Sequence, residues 1–508
     1  MNPTLGDRLT FDLSQPGRSA CTLPPLDVPQ APLPPADLLR RELNLPELGQ
    51  VDLIRYFLAL SRLNYSIDTG FYPLGSCTMK YNPKMHEDLA RLPGFAQAHP
   101  LQPVETAQGA LALMYDLQRC LAEITGLDAV SLAPAAGAQG ELTGMLIVKA
   151  YLADSSQEGR TRVLVPDSAH GTNPASATMA GFQVVTVPTD AQGNTDMAAF
   201  AAALDDGVAA MMFTLPNTLG LCCSEIGEIA QMLHRRGALL YGDGANLNAI
   251  LGRARLGDMG FDIVHLNMHK TFSTPHGGGG PGAGPVAVKG FLAPYLPTPV
   301  VEKARAGPAG DGDAFVLATP ERSIGRMGLF HGHFGVLLRA YAYIRTLGTE
   351  GLRQVSENAV INANYVLARL REAYHLPYDR RCMHEVVFSG SGLRQGRTSL
   401  RPERAKGVRT WDIAKRLIDY GFHPPTVYFP LIVNEALMIE PTETESKEAL
   451  DAFCDALLAI AREAEEEPQV LLDAPHDTPV GRLDEAAAAR RPVLRWRPLE
   501  SEGRETHA

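Results

Sequence analysis

No run of about 18 consecutive apolar residues occurs in the 508-residue sequence, so no membrane-spanning helix is expected. Basic residues are in deficit. Lys and Arg number 46 against 57 Asp and Glu, for a formal net charge of −11. Basic runs go no further than short pieces such as Arg380-Arg381, so the electrostatic footprint of a nucleic-acid binder is missing. Seven cysteines are too few for a disulfide scaffold, and none are spaced CxxC as a structural zinc site would require. Cys222 and Cys223 are adjacent, which suits neither arrangement, and the group reads as small core thiols in a reducing compartment. The opening MNPTLGDRLTFDLSQPG lacks the basic and apolar regions of a secretory signal and is not Arg/Ser-rich, so a cytoplasmic location is expected. There is no internal repeat, no Walker A spacing and no GxGxxG fingerprint.

What remains is an ordinary globular composition, 45% hydrophobic and 20% charged, long enough for more than one domain. Residues 1–60 read as a Pro-rich arm, densest at PPLDVPQAPLPPADLLR, followed by a helix at 51–63. Residues 61–328 read as a large α/β domain. Short apolar runs (RVLVP, QVVTVP, VAAMMFTLP, ALLYGD, DIVHLN) alternate with helical segments, the signature of a mostly parallel sheet covered on both faces. The stretch 300–328 reads as a Gly/Pro-rich connection, 329–470 as a smaller α+β domain with helices near 331–347 and 357–373, and 471–508 as an extended tail.

Four segments carry chemistry. In DIVHLNMHKTFSTPHGGGGPGAGP a strand delivers Lys270 at its C-terminal end, just before a Gly-rich loop. Partial burial there would make its amine a better nucleophile, as Schiff-base chemistry needs. In ALLYGDGANLNAI a neighbouring strand ends in Asp243, a carboxylate placed to keep a pyridine nitrogen protonated. In VSLAPAAGAQGELTG a strand runs into a helix whose free N–H groups, at Ala136, Gly137, Ala138 and Gln139, suit a phosphate. In VPDSAHGTNPASA, His170 follows a strand end and can stack on a flat ring. His170, His265, His269 and His276 show no HxH or HExxH spacing, so no metal is expected. Together these residues point to a pyridoxal 5'-phosphate (PLP) enzyme.

GSCTMKYNP (75–83), HGTNPASA (170–177), DGANLNA (243–249) and HLNMHKTFSTPHGGGGPG (265–282) closely resemble the P-protein of the glycine cleavage system, glycine dehydrogenase (decarboxylating), and more narrowly subunit 2 of its two-subunit bacterial form. The likeness runs from about residue 20 to 490. It implies the type I PLP-dependent transferase fold, with a seven-stranded type of large sheet and a small C-terminal domain. It further implies glycine decarboxylation with transfer of the aminomethyl group to the lipoyl arm of H-protein. By the family pattern Lys270 holds PLP covalently, Asp243 pairs with the ring nitrogen, His170 stacks on the ring, and Ala136–Gln139 hold the phosphate. The Gly277–Gly280 loop is expected near a subunit interface, and His269, Thr271 and the 72–82 loop along the lipoyl groove. Single-chain members are about twice this length, so a homologous subunit 1 is expected as partner in an α2β2 assembly. For the glycine carboxylate, Arg326, Arg380 and Arg401 are candidates, with neutral loop donors as the alternative. The rival readings are another type I PLP enzyme, such as an amino-acid decarboxylase or a cysteine desulfurase, and a non-catalytic scaffold subunit. HLNMHKTFSTPHGGGGPG argues against the first, and retention of Lys270 and Asp243 against the second.

Overall fold

A computed structural model describes residues 8–40, 43–277, 282–304, 314–328, 330–391 and 407–494. The chain forms two compact units, Met1–Gly70 and Phe71–Ala508. In the first, a one-turn helix Thr10–Leu13 and the helix Gln50–Ser61 flank a stretch that has no helix or strand among its described residues. Prolines at 24, 25, 29, 32, 34 and 35 remove the N–H groups that either ladder would need. Leu23, Leu26 and Leu33 of that stretch are exposed. Arg18 pairs with Asp52 at 3.0 Å, fastening the start of the arm to the helix.

In the second unit the alternation of apolar runs and helices becomes a seven-stranded sheet. Its strands are β1 (Ala129–Ser131), β2 (Arg162–Pro166), β3 (Gln183–Val187), β4 (Val208–Thr214), β5 (Leu239–Gly244), β6 (Ile263–Leu266) and β7 (Val286–Val288). Their order is β1-β7-β6-β5-β4-β2-β3. The pairs from β3 across to β6 are parallel, and β7 is antiparallel to both β6 and β1. Successive side chains of a strand point to opposite faces. Leu164, Met211, Leu240 and Val264 enter one apolar cluster, and Val163, Met212, Tyr241 and Ile263 enter another. Both faces are therefore dry, and all seven residues of β4 are buried. This is why these strands read as continuous apolar runs rather than as alternation.

Helix Gly137–Asp154 lies on the Tyr241 face at very short range. A Cβ at Gly144 would stand 2.3 Å from the Tyr241 ring, and one at Gly140 would stand 2.7 Å from the Gly284 carbonyl. The small residues of the GAQGELTG stretch are thus a contact surface as well as a helix start.

The C-terminal part begins differently from expectation. The Gly/Pro-rich connection contains a hairpin of β8 (Val300–Lys303) and β9 (Phe315–Ala318), whose four-residue strands are too short to stand out by pattern. The two helices expected near 331–347 and 357–373 are present within Phe334–Leu370, separated at Gly348 (φ 60°, ψ −173°), a conformation open to glycine. A three-stranded antiparallel sheet follows, in the order β10 (Val386–Ser389), β12 (Ala436–Ile439) and β11 (Thr426–Val427), backed by helices Thr410–Asp419 and Lys447–Glu466. The tail is not wholly extended. Helix Pro468–Asp473 runs into it, and Glu485–Arg490 forms a short helix because the Asp484 carboxylate caps the Ala487 N–H ahead of an alanine run.

The close approach at Gly144 sets a test. Gly→Ala in a helix ordinarily stabilises by about 0.5–1 kcal/mol. At exposed Gly109, where a Cβ meets nothing within 4 Å, Gly109→Ala should show that gain. At Gly144 the collision with Tyr241 should reverse the sign, for a net loss of about 1–3 kcal/mol. Urea denaturation midpoints of the two variants should move in opposite directions.

Candidate active site

The parallel register puts three strand ends side by side. Asp243 of β5 pairs with Thr214 of β4 on one side and His265 of β6 on the other. Beyond these ends a cavity of about 340 Å³ opens, with Lys270, Asp243, His170, Ala136, Gly137 and Ala138 all on its wall. Glu141, Thr172, Thr214, Thr218, Asn246, His265, Asn267, His269 and His276 complete most of the lining, and Ser76 and Cys77 close it. The strand-end location is where ligands bind in open α/β sheets.

Asp243 has almost no exposure, and its oxygens are taken up by neutral donors. The Asn173 amide donates to Oδ2 at 3.0 Å, and the Ala245 N–H donates to Oδ1 at 2.9 Å. The Thr214 hydroxyl is 3.4 Å from Oδ2, and His265 Nε2 is 3.5 Å from Oδ1. Burial pushes this carboxyl up, but His265, Lys270 and the Asn173 and Ala245 hydrogen bonds outweigh it and hold Asp243 below the ordinary value. His265 is itself pushed down by burial, and its ring is fixed between Tyr241 OH at 2.7 Å and Asn267 Oδ1 at 3.0 Å.

The helix start behaves as its sequence suggests, with one difference. Gly140 N–H makes the first intrahelical bond, to Ala136, which leaves the N–H groups of Gly137, Ala138 and Gln139 ahead of the ladder. The Gln139 side chain turns back to accept the Ala135 N–H at 2.6 Å and does not line the cavity. His170 lines the same cavity and is exposed, bonded through Nδ1 to the Thr172 hydroxyl at 2.8 Å. Thr172 in turn donates to Glu141 at 2.9 Å.

Several groups were not singled out from the sequence. Burial, with the Asp243 charge adding to it, raises the Glu141 carboxyl to about 8, so a protonated acid stands beside an ionised one. Its only signal was an acidic residue in an otherwise small-residue helix start. Cys77 lines the cavity within a loop clamped by two buried carboxylates of the small-sheet region. Glu385 accepts the Ser76 N–H at 2.8 Å, and Glu440 accepts the Thr78 N–H at 2.9 Å and the Thr78 hydroxyl at 2.6 Å. These contacts span more than 300 residues, so no local pattern announces them.

Other expectations fall outside the cavity. Thr271 is buried and absent from the lining. The Arg380 guanidinium is occupied by Gln192 O, Asn194 Oδ1 and Cys222 O, and neither it nor exposed Arg326 lines the cavity. Arg401 and residues 278–280 of the Gly277–Gly280 loop lie outside the described residues. The four histidines weighed as metal ligands form no clustered ligand set among the described residues, where the group with that property is His384, Glu385 and Glu440.

The architecture is the type I fold of PLP-dependent enzymes. The structure superposes on an inhibitor-bound glycine decarboxylase (P-protein) of the glycine cleavage system with a TM-score of 0.70, at 22% identity, covering 84% of this chain and 93% of that one. A Burkholderia pseudomallei sphingosine-1-phosphate lyase matches at TM-score 0.60 and 14% identity, covering 85% and 95%, which is a likeness of fold alone. The family model described as "Glycine cleavage system P-protein" matches residues 74–389, and "Glycine dehydrogenase, C-terminal domain" matches 355–477. The chain belongs to the glycine cleavage system P-protein family. It is 58% identical over 504 residues to the Exiguobacterium sibiricum protein named "Probable glycine dehydrogenase (decarboxylating) subunit 2", covering 98% of this chain and 99% of that protein. It is 57% identical over 492 residues to its namesake from Caldanaerobacter subterraneus subsp. tengcongensis, covering 96% and 98%.

His269 supplies a pH test. Burial, with His276 and Lys270 adding to it, depresses its imidazole to about 3. The unfolded chain binds a proton there below about 6.5 and the folded chain does not. Stability therefore falls as pH drops through that window, by up to about 1.4 kcal/mol per pH unit. His269→Gln should make the slope of unfolding free energy against pH shallower between about pH 6 and pH 4, and an unchanged slope would contradict the burial of a neutral ring.

Proposed function

We propose that this chain is the PLP-bearing subunit of the P-protein, decarboxylating glycine and passing the aminomethyl group to the lipoyl arm of H-protein. The observation that carries this reading is the convergence of Lys270, Asp243, His170 and the Gly137 helix start on one cavity.

The residues fit the cofactor. The cavity of about 340 Å³ lies within the roughly 300–1,000 Å³ typical of small-molecule sites. The free N–H groups at 137–139 form an anion site for the phosphate. Asp243, buried yet ionised, suits a ring nitrogen that must stay protonated. His170 presents its ring across the cavity, and Lys270 brings the amine. The His269 Nδ1 and Asn173 Oδ1 atoms are buried without a partner among the described residues, leaving polar capacity around the site.

PLP, when bound, supplies the electron sink that accepts the bonding pair as glycine loses CO2. The protein's part is then divided among named groups. Lys270 would hold the cofactor covalently, which places its amine beside the substrate. Asp243 keeps a proton on the ring nitrogen. Glu141, its carboxyl raised to about 8 by burial and the Asp243 charge, adds less negative charge there than an ordinary glutamate would. For the glycine carboxylate we favour a neutral donor such as the Asn267 amide, since Lys270 is the one Lys or Arg among the described lining residues and the Thr218 hydroxyl and Asn246 amide already donate to the Ser168 and Pro216 carbonyls. Weak binding suits a group that must depart as neutral CO2, because a tight clamp would stabilise the ground state more than the transition state.

The loop bearing Ser76 and Cys77 lines the cavity, and in this reading the lipoyl arm passes it. The α2β2 assembly with homologous subunit 1 belongs to the same reading, which also places the enzyme in the cytoplasm. Among the described residues no helix is long and apolar enough to cross a membrane.

The test is glycine-dependent exchange of labelled CO2 by the PLP-loaded chain with subunit 1 and lipoylated H-protein. Exchange should require all three, and Lys270→Ala should abolish both exchange and the visible absorbance of the bound cofactor. Full exchange by a Lys270→Ala protein, or none by the complete wild-type mixture, would refute the reading.

A further inference from the structure

Lys80 lies outside the cavity lining and has no part in the chemistry above, yet it is one of the most deeply buried charges in the second unit. Its side chain has no exposed surface. Four oxygens surround its ammonium: Glu443 Oε1 at 2.7 Å, the Thr271 carbonyl at 2.8 Å, Asn248 Oδ1 at 2.9 Å and Tyr343 OH at 3.2 Å. They come from a loop beyond β12, the turn after Lys270, the loop after β5, and the long helix Phe334–Leu370. Two residues further on, the Asn82 amide donates to the Ser273 carbonyl at 2.9 Å, and the Ser273 hydroxyl donates back to the Tyr81 carbonyl at 2.5 Å. Within the turn the Ser273 N–H bonds the Lys270 carbonyl at 3.2 Å, with Ser273 in the left-handed region at φ 54°. Segment 80–82 therefore grips the 271–273 backbone at both ends.

Stability alone is a poor reason for this arrangement. A buried ion pair costs several kcal/mol of desolvation per ion and is often matched by apolar residues of similar volume. What it provides that apolar packing does not is directional bonding to one carbonyl, and that carbonyl belongs to the residue after Lys270. A reacting group misplaced by about 1 Å can lose about 100-fold in rate.

We propose that Lys80, neutralised by Glu443, is a positioning residue for Lys270. It fixes the 270–273 turn so that the Lys270 amine is presented in one geometry, and it ties that turn to the chain leaving β12. The proposal rests on the reading of Lys270 as the cofactor lysine.

The test uses the complete enzyme carrying Lys80→Met with Glu443→Gln, which removes both charges and leaves neither unpaired. Asn82→Ala, half-buried and uncharged, serves as the second variant should the first not fold. Three readouts are taken: glycine-dependent exchange kinetics, borohydride labelling of the cofactor lysine, and amide hydrogen exchange of peptides covering 271–274 in PLP-free and PLP-loaded protein. The expected result is labelling still on Lys270, kcat lowered about tenfold or more with KM changed less than about threefold, and faster amide exchange at 271–274 in both forms. A folded, PLP-loaded variant with kcat and amide exchange within about twofold of wild type overturns the positioning role. A wild-type label on another lysine overturns the Lys270 reading instead, a failure the labelling shows independently of the variants.

Discussion

One negative charge, buried at the end of β5, organises the site. The Asp243 carboxylate is almost wholly withdrawn from water, so the protein must replace the lost hydration. It does so with the Asn173 amide, the Ala245 N–H, the flanking His265 and the nearby Lys270. Each of those partners depends on a larger feature. Asn173 needs the loop after β2 and its helix, Ala245 needs the sharp exit from β5, and His265 needs the parallel register of β6. That register holds only because both faces of the sheet are apolar and covered, since a slip of one residue would turn every side chain to the wrong face.

The second organising feature is the manner in which the small-sheet region reaches the same cavity. Glu385 and Glu440 hold the backbone of 76–78, and Glu443 holds Lys80. Burial raises both Glu385 and Glu440, the latter to about 7, so these clamps carry less negative charge than their number suggests. The 75–82 loop is thereby tied to the small-sheet side through Glu440 and Glu443, and to the Lys270 turn through Lys80 and Asn82. A loop so fixed at the cavity wall has almost no local hydrogen bonding of its own, which is why it reads in sequence as an irregular stretch.

The legibility of the sequence follows from range. The five apolar runs from RVLVP to DIVHLN are readable because burial on both faces writes itself into consecutive residues, and the positions of Lys270, Asp243, His170 and the 136–139 turn are readable because each stands at a strand or helix end. The hairpin β8–β9 is hidden because, of its strand residues, only Val300, Val301 and Phe315 are buried. The tail helix Glu485–Arg490 rested on one capping aspartate. The individual contacts of Glu141, Glu385 and Lys80 are not legible locally, because their partners lie 31 to 363 residues away. The family resemblance supplied roles for the strand-end residues but said nothing about these long-range clamps. The arginines proposed for the carboxylate were a chemical guess that the geometry does not support where it describes them, since Arg380 is already committed to backbone and side-chain oxygens.

The proposed role of Asp243 is to remain ionised and hold a proton on the cofactor ring. It is tested most directly by nitrogen-15 NMR of the protein reconstituted with PLP labelled at the ring nitrogen. The expected result is a resonance in the protonated pyridinium range across neutral pH, moving to the neutral pyridine range in Asp243→Asn. A wild-type resonance in the neutral range, or one that Asp243→Asn leaves in place, would contradict it.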